Sequence, residues 1–265
     1  MKLSVEQLSY HYPGTERTIF QNVSFDIEKG NLVSILGPNG AGKSTLLNCM
    51  AGLFVPDKGK VCIDGISLEE LGVRKTAQRI GYVPQNHYPV YDFTVLEFVV
   101  MGRTPYIGAF SSPCSEDYEK AEESLALVGA EHLSGKLYTR ISGGERQLAM
   151  IARAITQEPD FIFLDEPTAH LDFGNQMKAV RMIQGLAEQG YGVVMTTHNP
   201  DHVLYTGGMA ALLQRDGSLL FGDSRTIMKQ ETLTALYREP VYVFYSQMMG
   251  RDICLTGSMH ENQEK

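Results

Sequence analysis

The run Gly37-Pro38-Asn39-Gly40-Ala41-Gly42-Lys43-Ser44-Thr45 sets glycines, a lysine and two hydroxyls at the spacing GxxxxGK[ST]. That pattern suits polyphosphate chemistry. The glycines permit a tight turn whose backbone N–H groups converge on one point, adding to the positive end of a following helix. Lys43 would reach the β and γ phosphates, and the Ser44 hydroxyl would sit on a magnesium ion. The flanks fit: Val33-Ser34-Ile35-Leu36 reads as a buried strand and residues 43–53 as a helix. A purely structural glycine turn is the bland alternative, and this strand-before, helix-after context counts against it.

A second constellation ends another apolar strand, Phe161-Ile162-Phe163-Leu164-Asp165-Glu166. Alternation would send the two carboxylates to opposite sides, but a turn beginning at Glu166-Pro167 can aim both at one ligand. Asp165 would hold magnesium, directly or through water, opposite Ser44. Glu166 is then placed to accept a proton from an attacking water. Alone, the pair could be a solvated strand end; the phosphate loop upstream favours the chemical role. A third feature, Ser142-Gly143-Gly144, opens a helix and exposes N–H groups at its positive end, a second anion-binding site. A simple N-cap is the rival reading, and the position of the run shortly before Asp165 favours the anion site.

The elements that must position these residues follow from periodicity and punctuation. Residues 3–10 and 23–27 read as strands, as do 60–64 and 80–83. From about residue 86 to 156 the texture is helical. Residues 94–101 form a buried or docking helix, Ser115 caps a helix to about residue 128, and another runs from Ser142 to about residue 156. Strand 161–164, helix 175–189 and strand 192–197 then alternate, which argues for a parallel sheet with crossovers. A hairpin through Arg215-Asp216-Gly217-Ser218, a helical pair over 224–238 and two short strands, the first at 241–245, complete the chain; the tail from Ser258 is polar.

The bulk composition excludes several classes. A formal net charge of −8 opposes a primary role on nucleic acid and adsorption to anionic lipid, so membrane attachment is expected through a protein partner. No apolar run approaches the roughly 20 residues that span a bilayer, and no signal-peptide pattern opens the chain, so it is expected to face the cytosol. The four cysteines (Cys49, Cys62, Cys114, Cys254) lack a CxxC pair and read as reduced thiols. Of the seven histidines, only His198 directly follows a strand; His11, His87, His132, His170, His202 and His260 read as surface or packing residues.

Taken jointly, Walker A at 37–45, Gln85 after a strand, Ile-Ser-Gly-Gly-Glu-Arg-Gln at 141–147, Leu-Asp-Glu-Pro-Thr at 164–168, Leu171-Asp172 and His198 resemble an ABC transporter ATPase subunit. The match covers residues 3 to about 222. It implies an α/β fold: a P-loop NTPase (RecA-like) core with a mainly parallel sheet, an N-terminal antiparallel β subdomain and an inserted α-helical subdomain. Residues 1–256 would be one domain, with the helical insertion at about 86–156 and a tail at 257–265. It further implies that two copies pair head to tail, with ATP between the loop of one and Ser142, Gly143 and Gly144 of the other. Glu166 resembles the general base, Gln85 the residue that senses magnesium and the attacking water, His198 the γ-phosphate switch and Asp172 a residue speaking across the dimer. Tyr12 is similar to the aromatic that stacks on adenine, with Tyr10 as its rival.

Four positions depart from the family pattern. Ile141 replaces leucine, Glu145 replaces glutamine with Arg146 beside it to offset the charge, and Asn199-Pro200 replaces aspartate-leucine. The segment 94–108 and the short ending after residue 256 are similar to ATPases of iron-siderophore, haem and cobalamin importers. The resemblance then implies two membrane permease subunits, a soluble binding protein and a place at the cytoplasmic face of the inner membrane. Molybdate-type oxyanion import is the nearest alternative. An exporter fits less well because of the Arg103–Gly108 segment, and a soluble ABC protein of DNA repair or translation would show a coiled-coil insertion or a second cassette, neither of which appears in this sequence.

Overall fold

The computed structural model describes residues 1–85, 91–108, 110–169 and 171–256. From the N-terminus, β1 (Lys2–His11) and β2 (Thr18–Glu28) pair antiparallel. After β3 (Leu32–Leu36) and α1 (Lys43–Met50), β4 (Lys58–Ile63) and β5 (Ile66–Ser67) extend that pair into a sheet of order β2-β1-β4-β5. The chain then forms α2 (Leu68–Arg79) and β6 (Ile80–Val83), followed by the helices α3 (Val95–Val100), α4 (Ser115–Leu127) and α5 (Gly143–Thr156). Next come β7 (Phe161–Leu164), α6 (Phe173–Glu188), β8 (Gly192–Thr197), α7 (Pro200–Thr206), β9 (Met209–Leu213) and β10 (Leu219–Asp223). The short α8 (Ser224–Ile227), α9 (Gln230–Tyr237) and the hairpin β11 (Val241–Ser246)–β12 (Arg251–Thr256) follow.

The central sheet runs β10-β9-β3-β8-β7-β6, parallel from β9 to β6 with β10 antiparallel at the edge. Its parallel strands are largely buried on both faces, whereas the edge strand β10 is not, and alternation assigns each residue to a layer. Phe161 and Phe163 pack with α1 and the antiparallel sheet, in a core with Leu46, Leu47, Phe20 and Ile27. Ile162 and Leu164 face the opposite way, onto α3, α4, α5 and α6. A smaller cluster under α7 and α9 gathers Leu36, Val203, Leu212 and Leu233.

Two sequence expectations shift. The helix α2 was not anticipated; Ser67 and Glu70 cap it reciprocally, but Gly72 (φ 74°) interrupts it, and that break hides its periodicity. Cys114, not Ser115, is the N-cap of α4, with Asp117 accepting from the Cys114 N–H at 3.0 Å. The helix expected at 94–101 forms as α3, capped by Thr94, with Val95, Phe98, Val99 and Val100 buried. The polar tail, His87, His170 and His260 lie outside the described residues.

Packing beneath α3 is close. A Cβ on Gly102, in the turn Met101–Arg103, would collide with the Arg153 carbonyl of α5. Next to it, buried Arg103 donates to Asp117 at 3.0 Å, the Thr156 carbonyl at 3.0 Å and Glu158 at 2.8 Å, tying α4 to the end of α5. Gly102→Ala is expected to destabilise the fold by about 1–3 kcal/mol, as overpacking does. Thermal unfolding measures it; an unchanged midpoint would contradict this contact.

Candidate functional site

Four strand ends converge on one helix terminus. β3 passes from Leu36 into the glycine loop, while β6, β7 and β8 end just before Gln85, the Asp165–Glu166 pair and His198. The carboxyl edge of a parallel sheet is where such folds take ligands. A pocket of about 620 Å³ lies there, lined by Tyr12, Lys43, Ser44, Gln85, Glu166 and His198 among others.

The loop is built for close backbone approach. Gly40 and Gly42 hold φ of 75° and 104°, and a Cβ on Gly42 would run into Ile19. Gly42 caps α1 with no side-chain bond, and no acid occupies the first turn. The first N–H groups and the positive helix end are therefore left for an anion. Asn39, Gly40 and Thr45 also line the pocket. Gly37, Pro38 and Ala41 are buried and do not line it. The Gly37 and Pro38 carbonyls accept from Lys43 Nζ at 3.0 and 3.3 Å.

Alternation points Asp165 at α1, where Ser44 Oγ donates to its Oδ1 at 2.8 Å. Glu166 should face the other layer, but its φ of 44° turns the backbone into the left-handed region. The turn is closed by the Ala169 N–H, which donates to the Glu166 carbonyl at 2.9 Å. The Glu166 carboxylate thus meets three groups. Lys43 Nζ lies 3.4 Å from Oε1, and Gln85 Nε2 and His198 Nδ1 lie 3.3 and 3.4 Å from Oε2.

Thr196 escaped the sequence reading. It is fully buried, donates to Asp165 Oδ1 at 2.7 Å and accepts from the Glu166 N–H at 2.7 Å. In an apolar run it resembles any β-branched strand residue. The signal was a hydroxyl in a strand that must be buried and so needs a partner. Arg17 was also missed; it lines the pocket and donates to the Gly40 carbonyl at 3.3 Å.

At the far end of the pocket, Tyr12 is 41% exposed and its hydroxyl lies 2.7 Å from Thr45 Oγ1. Tyr10 is buried and stacked between Phe20 and Phe54, at centroid distances of 6.1 and 5.8 Å. Of the two tyrosines, only Tyr12 lines the pocket.

Ser142, Gly143, Gly144 and Asp172 do not line this pocket. Ser142 caps α5, and Glu145 closes the box by accepting from the Ser142 N–H at 2.8 Å. That backbone bond, helped by the serine hydroxyl and Lys136, lowers the Glu145 carboxyl pKa to about 2. Lys136, 3.2 Å away, offsets the charge; Arg146 instead donates to the Ile141 carbonyl at 3.4 Å. Asp172 caps α6, accepting from the Asn175 N–H at 2.9 Å. A Cβ on Gly144 would stand 3.7 Å from Leu171 and 3.8 Å from Asn175, so both helix starts share one surface.

Beyond His198, Asn199 caps α7 by accepting from the Asp201 N–H at 2.9 Å, and Pro200 starts the helix. Tyr237 donates to the His198 carbonyl at 2.9 Å. Arg251 of β12 grips both oxygens of Asp201 at 2.8 Å each. The other described histidines stay apart: His11 pairs with Asp57 at 2.7 Å, His132 is exposed, and His202 is buried, which pushes its pKa down.

Comparison with known proteins agrees with this geometry. The family model described as ABC transporter matches residues 20–169. The chain is 39% identical over 241 residues to the molybdate import ATP-binding protein MolC of Haemophilus influenzae, covering 91% of this chain and 89% of that one. A solved structure of a metal-chelate type ABC transporter in an inward-facing conformation superposes with a TM-score of 0.86 at 36% identity, covering 98% of each chain. A dimeric bacterial ABC transporter cassette superposes with a TM-score of 0.71 at 31% identity, over 84% of this chain and 99% of that one. With a phosphate loop and two carboxylates meeting at one sheet edge, the chain belongs to the ABC transporter family and is an ATP-hydrolysing cassette.

Proposed function

We propose that this ATPase powers an importer, with a metal chelate of the iron-siderophore, haem or cobalamin class as cargo. The contact of Ser44 with Asp165, beside Glu166 and Lys43, carries the ATPase reading. The likeness to the metal-chelate type transporter over nearly the whole chain supports the cargo class. The identity to MolC favours a second reading, oxyanion import. Residues 1–256 are read as one ABC ATPase domain with the helical insertion at about 86–156. No helix among the described residues is long and apolar enough to cross a membrane. By its likeness to importer ATPases, the chain would act through two permease subunits at the cytoplasmic face of the inner membrane, fed by a soluble binding protein.

The residues divide the work as follows. The loop N–H groups and Lys43 bind the β and γ phosphates, while Tyr12 stacks on adenine. Ser44 and Asp165 offer two hard oxygens 2.8 Å apart, the donor type magnesium takes when phosphates and water complete its shell. With Gln85 they would hold that ion, which supplies charge neutralisation on the phosphates. Glu166 takes the proton of the attacking water, and His198 senses the γ-phosphate. Ser142, Gly143, Gly144 and Asp172 stand outside the pocket and serve the nucleotide of a second copy. The dimeric cassette among the structural relatives supports that pairing.

Glu166→Gln is expected to keep ATP binding while slowing hydrolysis by about 10²–10⁴-fold, the worth of a positioned base. Single-turnover measurement with trapped ATP decides it, and retained turnover would remove Glu166 from this role. Tyr12→Ala should raise the ATP concentration for half-maximal rate with little change in saturated turnover. Tyr12→Phe, which keeps the ring, should behave as wild type; equal impairment would assign the effect to the Thr45 bond. For cargo, the chain reconstituted in liposomes with its permease and loaded binding protein should show ATPase stimulation by haem or a ferric siderophore. Stimulation by molybdate alone would establish the second reading.

A further inference from the structure

We propose that Thr196 is a positioning residue of the hydrolytic site, fixing the metal-holding carboxylate and the base through one hydroxyl. This rests on the ATPase-site reading above. The inference starts from register. β7 and β8 are parallel, with Leu164 opposite Met195, so the next residues along each strand, Asp165 and Thr196, lie side by side. Alternation turns both toward α1, since Phe163 and Val194 lie in the core shared with that helix.

The hydroxyl is used in both directions. Its oxygen accepts from the Glu166 N–H at 2.7 Å, and its proton goes to Asp165 Oδ1 at 2.7 Å. The first bond anchors Glu166 at the residue whose φ of 44° departs from the strand. Proline follows, which disfavours a helical backbone at Glu166, so the turn requires outside support. The second bond fixes the oxygen that also receives Ser44, leaving Oδ1 held by two hydroxyl donors. Such outer contacts set the orientation of ligating oxygens and commonly matter 10–100-fold. Thr196 also lies two residues before His198, which follows directly on the end of β8. Both carboxylate residues of the site are therefore referred to one buried side chain.

Valine matches threonine in shape and lacks the hydroxyl, so Thr196→Val tests the relay, with Thr196→Ser as the rescue variant. Each is compared with wild type for kcat and KM, and for nucleotide binding by a fluorescent ATP analogue titrated with magnesium or in EDTA. Thr196→Val is expected to lower kcat about 10–100-fold. It should also raise the magnesium concentration for half-maximal binding and leave affinity in EDTA unchanged. Thr196→Ser should restore both quantities. Wild-type behaviour of Thr196→Val, or equal impairment of Thr196→Ser, would overturn the proposal. Glu166→Gln is measured alongside: if it turns over like wild type, the site reading itself fails, whereas an inactive Glu166→Gln with an unaffected Thr196→Val sinks only the role of Thr196.

Discussion

Two neighbouring residues on a strand cannot serve one ligand unless the backbone between them leaves the strand. In this chain it does so at Glu166, where φ changes sign directly after Asp165. Everything else at the site is arranged around that break. Asp165 keeps the direction that the pleat dictates and meets α1. Glu166 abandons it and gathers Lys43, Gln85 and His198, each within 3.4 Å. A non-glycine residue in this conformation is costly, and such strain persists where surrounding contacts over-determine it.

The sheet supplies those contacts because the strands that carry the site, β3, β6, β7 and β8, are parallel and almost wholly buried. Parallel strands bring their carboxyl ends to one edge, so residues far apart in sequence become neighbours without long loops. Full burial fixes register, since a slip of one residue would exchange the two layers of side chains. The glycine loop after β3 exploits the same edge. Its backbone approaches closely because Gly42 carries no Cβ to strike Ile19.

Much of this was legible in the residues. The loop, the paired carboxylates and the strand before His198 are local patterns, and the parallel alternation from β7 to β8 follows from apolar runs separated by an amphipathic one. The helix α2 was not legible, because Gly72 splits it into pieces too short to show a period. Thr196 was hidden for another reason: its partners are tertiary, and only the pairing of β7 with β8 discloses them. The charge of Glu145 was likewise misassigned. Lys136, nine positions upstream, meets it from the turn before the helix.

The end of β8 is moored on two sides. Tyr237 holds the carbonyl of His198 from α9, and the Arg251 grip on Asp201 staples the terminal hairpin to the helix that begins two residues later. The main chain at this histidine is pinned, yet its imidazole is more than half open to solvent. The ring is thus free to reorient by rotation about its own side-chain bonds, a fast class of motion, while its carbonyl stays held.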